Sequence, residues 1–256
     1  MGTLDEKLEI LKGLQMNPNN ISNWLPKIEG LGFNIPETVI IPLTVDNLDW
    51  LFSDNYKNED IAKFTSEILE KIKETGFNTE RELFIKTGNF SNKFNFKTCH
   101  LKDISQIGRQ FLDVFHGGLC VGCDPSPEIA IREFIHTKYD RESIYSGMKL
   151  NTEFRAFYDF DNDKLLEIFN YWDRETMTTH LYDPSEKAAF LKSIDAIEQD
   201  FNALKPRLKA EIESKIKNNG FLGIWSIDFM WDGEKFWLID MAIGEMSYYF
   251  DKLKLN

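Results

Sequence analysis

The sequence predicts an α+β fold, and three observations carry that expectation. Amphipathic helical patterns and short apolar strands alternate irregularly, without the regular strand–helix rhythm of a doubly wound sheet. The late strands come as hairpins, so their pairing is antiparallel. A content of 42% hydrophobic and 14% aromatic residues in a chain of 256 is enough for a substantial core, in one large domain or two modest ones.

The elements follow in order. Leu4, Leu8, Leu11 and Leu14 recur at helical spacing over residues 3–14, and residues 20–31 repeat the pattern more weakly. The stretch from Gly30 to Thr44 passes through Ile35-Pro36-Glu37-Thr38 into a buried strand at Val39–Ile41, followed by a helix over 45–52. Residues 58–75 carry Ile61, Phe64, Ile68, Leu69 and Ile72 on one face, and Gly76 and Asn78 end that helix. Leu83–Lys86 reads as a strand running into a polar loop, Thr87 to Lys93. A helix is expected over 103–115, broken at His116-Gly117-Gly118. Strands follow at Glu128–His136, Glu153–Phe160 and Leu165–Tyr171. One long or two shorter helices cover 185–217, and a hairpin spans Trp225 to Ser247. The composition shift near 76–80 divides the chain into an N-terminal region, 1–78, and a main domain, 79–256.

Charge and composition exclude several functions. With 30 basic against 42 acidic side chains the net charge is −12, which opposes nonspecific binding to nucleic acid or to an anionic membrane. No apolar run approaches the ~18 residues of a membrane span. The charged start, MGTLDEKLEI, has no signal-peptide core, and Glu6 stands where a myristoylation motif on Gly2 wants Ser or Thr. Three cysteines, an odd count, fit a reducing cytoplasm. Cys120-Val-Gly-Cys123, with Cys99, His100 and His116 not far off in sequence, reads either as ordinary thiols or as a metal or redox site.

Four stretches carry chemistry. Asp228 and Asp240 sit inside the two apolar strands of the last hairpin. A carboxylate in such surroundings is costly unless it is paired, hydrogen-bonded or bound to a cation. Each therefore caps a strand end, pairs with a Lys or Arg, or shares a divalent metal with the other, and hard oxygen donors suit Mg²⁺. A shared metal requires both on one face. A tight two-residue Asp232-Gly233 turn would put them on opposite faces, so an odd loop or a bulge is needed. A three-residue loop, Asp232 to Glu234, would pair 226 with 240 and leave Asp228 one pleat away. Lys86 ends an apolar strand ahead of a loop of small polar residues, which is either an ordinary strand end or a phosphate contact, with Lys93 a weaker second. Arg132 and Glu133 point to opposite faces of their strand. Glu153 and Arg155 share a face, either as an internal ion pair or with the arginine aimed at a phosphate.

In this order the pieces resemble the ATP-grasp superfamily over most of residues 30–247. Lys86 resembles its phosphate-contacting lysine, Glu133-Phe134-Ile135 its adenine-hinge strand, and Asp228 and Asp240 its Mg²⁺ ligands. Glu153-Phe154-Arg155, the run to Asp173 and Trp237–Asp240 with Gly244-Glu245 resemble the cell-division-cycle members, which assist assembly of a translation initiation factor. The resemblance implies an ATP-grasp fold: two α+β subdomains gripping a nucleotide, with a short N-terminal region. It implies ATP and Mg²⁺ as cofactors, nucleotide contacts from Lys86, Lys93, Glu133, Phe134, Ile135, Arg155, Asp228 and Asp240, and catalytic roles for Arg155 and Lys86. The activity it implies is joining a carboxylate, through an acyl phosphate, to an amine on a small molecule or peptide. The alternative is a non-catalytic ATP-binding assembly factor for a partner protein. Ala242 departs from the family, which usually has Asn two residues after the second metal carboxylate. Either Glu245 or Ser247 then reaches in, or water replaces the missing ligand, or the site is weakened.

Overall fold

The computed structural model describes residues 3–53, 55–217 and 219–253. Met1 and Gly2, on which the lipidation reading turns, lie outside them. The helices are α1 (Leu4–Gln15), α2 (Ile21–Ile28), α3 (Val45–Leu51), α4 (Asn58–Thr75), α5 (Phe96–Cys99), α6 (Ile107–Cys120), α7 (Arg174–His180) and α8 (Pro184–Lys215). The strands are β1 (Thr38–Pro42), β2 (Leu83–Thr87), β3 (His100–Leu101), β4 (Glu128–Glu133), β5 (Ser143–Ile144), β6 (Met148–Lys149), β7 (Thr152–Asp159), β8 (Lys164–Asn170), β9 (Ile224–Trp231) and β10 (Phe236–Ile243). Among the described residues no helix is long and apolar enough to cross a membrane.

The chain forms two compact units. One holds residues up to Asn23 with Glu37–Phe134; the other holds Trp24–Pro36 with everything from Ile135 on. The boundary expected near 78 is therefore displaced. Strand pairing explains it, because β4 lies between β1 and β2, in the order β1-β4-β2-β3. A strand from before residue 78 and strands from after it share one ladder, so no division can fall there.

In the first unit, α4 packs on β1 and α6 on β2. Ile61, Phe64, Ile68 and Ile72 of α4 are buried, each worth about 1.5–3 kcal/mol against exposure. Gly76, at φ 72°, ends α4 in the left-handed conformation that its sequence signalled. The expected break at His116-Gly117-Gly118 does not occur, and α6 runs on to Cys120. Those glycines are there for close packing. A Cβ on Gly117 would lie 2.6 Å from the Asn92 amide, and one on Gly118 would press the Phe90 ring at 3.1 Å.

In the second unit the order is β10-β9-β7-β8, all antiparallel. One face is aromatic and packs on α8; Phe154 stacks on Phe201 at 5.3 Å and meets Phe236 edge-on. Helix α8 continues through Pro206, with buried residues on both sides of it (Ile194 and Ile197 before, Leu208 and Ile212 after) that offset the ~3 kcal/mol an interior proline costs. Helix α7 and the β5–β6 hairpin are absent from the sequence-based expectation.

Candidate functional site

The second unit's other face carries charge. The β7–β9 register pairs Arg155 with Asp228, and the β9–β10 register pairs Asp228 with Asp240. Directly paired residues project to the same side. Arg155, Asp228 and Asp240 thus form one row across three neighbouring strands, with Glu153 one pleat along β7.

Register makes this row, by a route different from the expected one. The turn is closed by Trp231 opposite Phe236, so four residues, 232–235, separate the strands. From there the ladder runs Trp237 with Met230 and Leu238 with Phe229. Continued without interruption, it would turn Asp240 onto the face of Phe236 and Leu238, towards α8. A bulge between Leu238 and Asp240 inserts Ile239 and flips the parity, so Asp240 stands directly opposite Asp228. The three-residue loop is corrected, and Ser226 faces Ala242 where it was expected to face Asp240.

Asp232 holds the turn. Its carboxylate accepts N–H groups from Glu234 at 2.7 Å and Lys235 at 2.9 Å, and the Trp237 indole at 2.7 Å. Burial pushes this carboxyl upward, but the three donors outweigh it and hold it below the usual range. Gly233, at φ 103°, lies where a Cβ would meet Lys138 at 2.9 Å.

Arg155 grips Asp228 with two parallel bonds, Nε to Oδ1 at 2.8 Å and Nη2 to Oδ2 at 2.7 Å. Both side chains are largely buried, 14% and 12% exposed. Burial works against the guanidinium's charge, yet Asp228, helped by Tyr171 and Asp240, raises its pKa above the ordinary arginine value. Its guanidinium also lies 4.8 Å from the centre of the Tyr171 ring, a contact no local pattern announces.

In the first unit, Lys86 is 2% exposed and pairs with Ala130. The same side of that sheet carries Arg132 and Glu128, also buried. Arg132 Nε donates to Thr38 Oγ1 at 3.0 Å. The 87–93 loop is more self-contained than its composition suggests. Thr87 N–H donates to Phe90 O, Phe90 N–H to Thr87 Oγ1 and Gly88 N–H to Ser126 Oγ, so these three donors are spent inside the protein. Lys93 follows in a single helical turn, Lys93–Asn95, and is half-buried.

The expected hinge strand stops at Glu133, three residues short of His136. Glu133 is committed: Oε1 accepts Glu37 N–H at 3.1 Å and Oε2 accepts Arg81 at 3.0 Å. Arg81 also reaches the Glu37 carboxylate. Phe134 leaves the sheet stacked on His100, centroids 4.1 Å apart, with its N–H bonded to Glu82 O. Ile135 is half-exposed beyond the strand. The role of Arg81 lies in a contact 52 residues away, which the sequence does not signal.

The thiols stay apart in chemistry. Cys99 is buried, and desolvation pushes it up to about 12. Cys120 is exposed at the end of α6 and Cys123 half-exposed. Among the described residues no three His, Cys, Asp or Glu side chains are placed to hold a metal together. That removes the Cys/His zinc reading and leaves Glu245 outside the Asp228–Asp240 pair. Glu245 is exposed on the turn Gly244–Met246. Ser247, at the end of that turn, instead bonds Ser226 Oγ at 2.6 Å, one pleat from Asp228.

No protein-family profile matches the sequence, and no curated protein sequence does. Solved structures do. C-terminally truncated Cdc123 from Schizosaccharomyces pombe superposes with a TM-score of 0.51 at 15% identity, over 95% of this chain and 93% of that one. The chain has the ATP-grasp fold. A second structure of Cdc123 from that organism gives 0.48 at 16% identity, over 99% and 94%. VanG D-Ala:D-Ser ligase from Enterococcus faecalis gives 0.44 at 12%, over 88% of this chain and 52% of the ligase.

Within the ATP-grasp fold, the donor set of the Asp228–Asp240 row fits Mg²⁺. Two opposed carboxylates are hard oxygen donors, and Mg²⁺ commonly takes one or two carboxylates and fills the rest with phosphate and water. Ala242 offers no ligand, but its ladder partner Ser226 bonds the Ser247 hydroxyl just beyond β10, and these two hydroxyls can orient water.

Proposed function

We propose that this chain is an ATP- and Mg²⁺-dependent ligase that joins a carboxylate, through an acyl phosphate, to an amine. The observation that carries the reading is the Arg155–Asp228–Asp240 row, brought to one face by the bulge. It gathers two metal-binding carboxylates and one forked phosphate donor within the ATP-grasp fold. When bound, Mg²⁺ would be held by Asp228 and Asp240 and would neutralise phosphate charge.

The chain's own residues then have defined tasks. Arg155 holds Asp228 in the resting state and turns to phosphate oxygens when a nucleotide arrives. Lys86 and Lys93 supply phosphate contacts, and Glu133, Phe134 and Ile135 adjoin the base. Glu133 takes that part through its main chain, since its carboxylate is committed to Arg81 and Glu37. Such a site works by positioning and charge neutralisation, and needs no side-chain nucleophile.

The test is ADP release with ATP, Mg²⁺ and a panel of amino acids and short peptides, alongside nucleotide binding by calorimetry. Acceptor-dependent ADP release, lost in Arg155→Met, is the expected result. Tight ATP binding without release for any acceptor would overturn the ligase and leave a nucleotide-binding assembly factor. No binding at all would overturn both.

A further inference from the structure

Helix α1 has the sequence of an amphipathic helix and buries none of its residues. Leu4 is 66% exposed and Ile10 62%. The helix is nevertheless well made. Thr3 and Glu6 form a capping box, and Lys7 pairs with Asp49 of α3. Beside it, Phe52 at the end of α3 is 50% exposed. A cavity of about 940 Å³ opens along these two helices, with Ile10 and Phe52 as its apolar lining. Asp5, Glu6, Glu9 and Asp49 ring it with carboxylates, against Lys7 alone.

We infer that this groove docks a basic amphipathic helix of a partner protein. An exposed apolar floor with a polar rim is the signature of a binding surface, and helix-in-groove recognition uses apolar side chains spaced one turn apart. Charge selects the partner. Four carboxylates and one lysine leave the lining at −3, in a chain of −12. Lys7 is already taken by Asp49, and Lys12 bonds Glu9 at 2.7 Å in an exposed pair that costs little to exchange. Such a rim attracts Lys and Arg at the edges of an apolar stripe and repels nucleic acid, anionic lipid and acidic peptides. The volume is within the ~300–1,000 Å³ of pockets that enclose a compact ligand, enough for the anchor residues of a short helix.

The test uses the full chain and a labelled synthetic helix with Leu at i, i+3, i+4 and i+7 and Lys elsewhere. A counterpart has Glu in place of every Lys. Fluorescence anisotropy should show binding of the Lys peptide that weakens with added salt, and none of the Glu peptide. Ile10→Asp, on an exposed position, should weaken binding about tenfold or more, and Asp5→Asn with Glu9→Gln by a smaller factor. Leu222→Asp, 80% exposed in the other unit, should leave binding unchanged. Failure of the Lys peptide to bind, equal binding of the Glu peptide, or equal loss in Leu222→Asp would overturn the inference. So would a concentration-dependent dimer that Ile10→Asp dissolves, since the occupant would then be a second copy of this chain.

Discussion

The two four-stranded sheets solve the same problem in opposite ways. Each buries charge on the side away from its apolar core. In the first unit that side carries Lys86, Arg132 and Glu128, a net of +1. In the second it carries Glu153, Arg155, Asp228 and Asp240, a net of −2. The charged side of the first sheet thus has a positive excess and that of the second a negative one. The second also compensates itself in the resting state, through the Arg155–Asp228 fork. The surface charges of the first are tied down near its rim, by Arg81 on Glu133 and Glu37.

The sharpest way to break this comparison is to change the parity of β10. Inserting one alanine after Ile239, with the bulge kept, puts the alanine opposite Asp228 and should turn Asp240 towards Phe154 and Phe236, where an unpaired carboxylate costs several kcal/mol. Urea unfolding should show a large loss of stability, and Mg²⁺-dependent nucleotide binding should vanish. Deleting Ile239 has the opposite expectation. The uninterrupted ladder places the following residue opposite Asp228, so Asp240 keeps its face and binding survives. Equal damage from both changes would mean that the bulge does more than set parity.

Next in size is Arg155→Met, which leaves two facing carboxylates without their cation. Breaking a buried ion pair from one side costs about 3–5 kcal/mol. Asp228→Asn should cost less, because Arg155 still has Asp240 nearby. Millimolar Mg²⁺ should restore much of the stability of Arg155→Met, with the metal taking the place of the guanidinium, and should add little to the unaltered protein without nucleotide. Denaturant midpoints with and without Mg²⁺ decide it; no rescue would count against the proposed metal at Asp228 and Asp240.

Much of this was legible in the sequence where short-range rules act. Helix α4 with its Gly76 cap, strands β1, β2, β7 and β8, and the last hairpin all follow from periodicity and turn residues. Even the need for a bulge or an odd loop followed from the two-residue period of a strand. Where the extra residue went did not, because Ile239 differs in no intrinsic way from its neighbours. The same limit applies at His116-Gly117-Gly118. Glycine breaks an isolated helix, but here the contacts of Phe90 and Asn92 demand it inside one. The pairing of Arg155 with Asp228, 73 positions away, and of Arg81 with Glu133 depends on strand order, which no local pattern encodes.

A smaller effect tests the turn that sets the second register. Asp232→Ala removes three accepted hydrogen bonds and should cost about 2 kcal/mol near neutral pH. The pH dependence has a definite sign. The folded carboxyl is held below its ordinary value, so its contribution is complete above the unfolded pKa of about 3.9 and is lost as pH falls through the folded value. The gap in melting temperature between the two proteins should be widest above about pH 5 and close in acid. A gap that does not change with pH would show that shape, and not the charge of Asp232, holds the turn.

The smallest change is the counterpart in the first unit. Arg81 is 27% and Glu133 25% exposed, so the pair is screened, and Arg81→Met should cost about 1 kcal/mol, well short of Arg155→Met. Its informative readout is nucleotide affinity. Glu133 N–H bonds Glu37 O, and its carboxylate bonds Glu37 N–H. Losing Arg81 loosens the strand end that leads to Phe134 and leaves Lys86 untouched. If the base lies against this segment, calorimetry should show ATP and ADP weakened by the same factor, while inorganic triphosphate is unaffected. A loss shared by triphosphate would place the effect on the phosphate contacts, and the segment after Glu133 would have no part in reading the base.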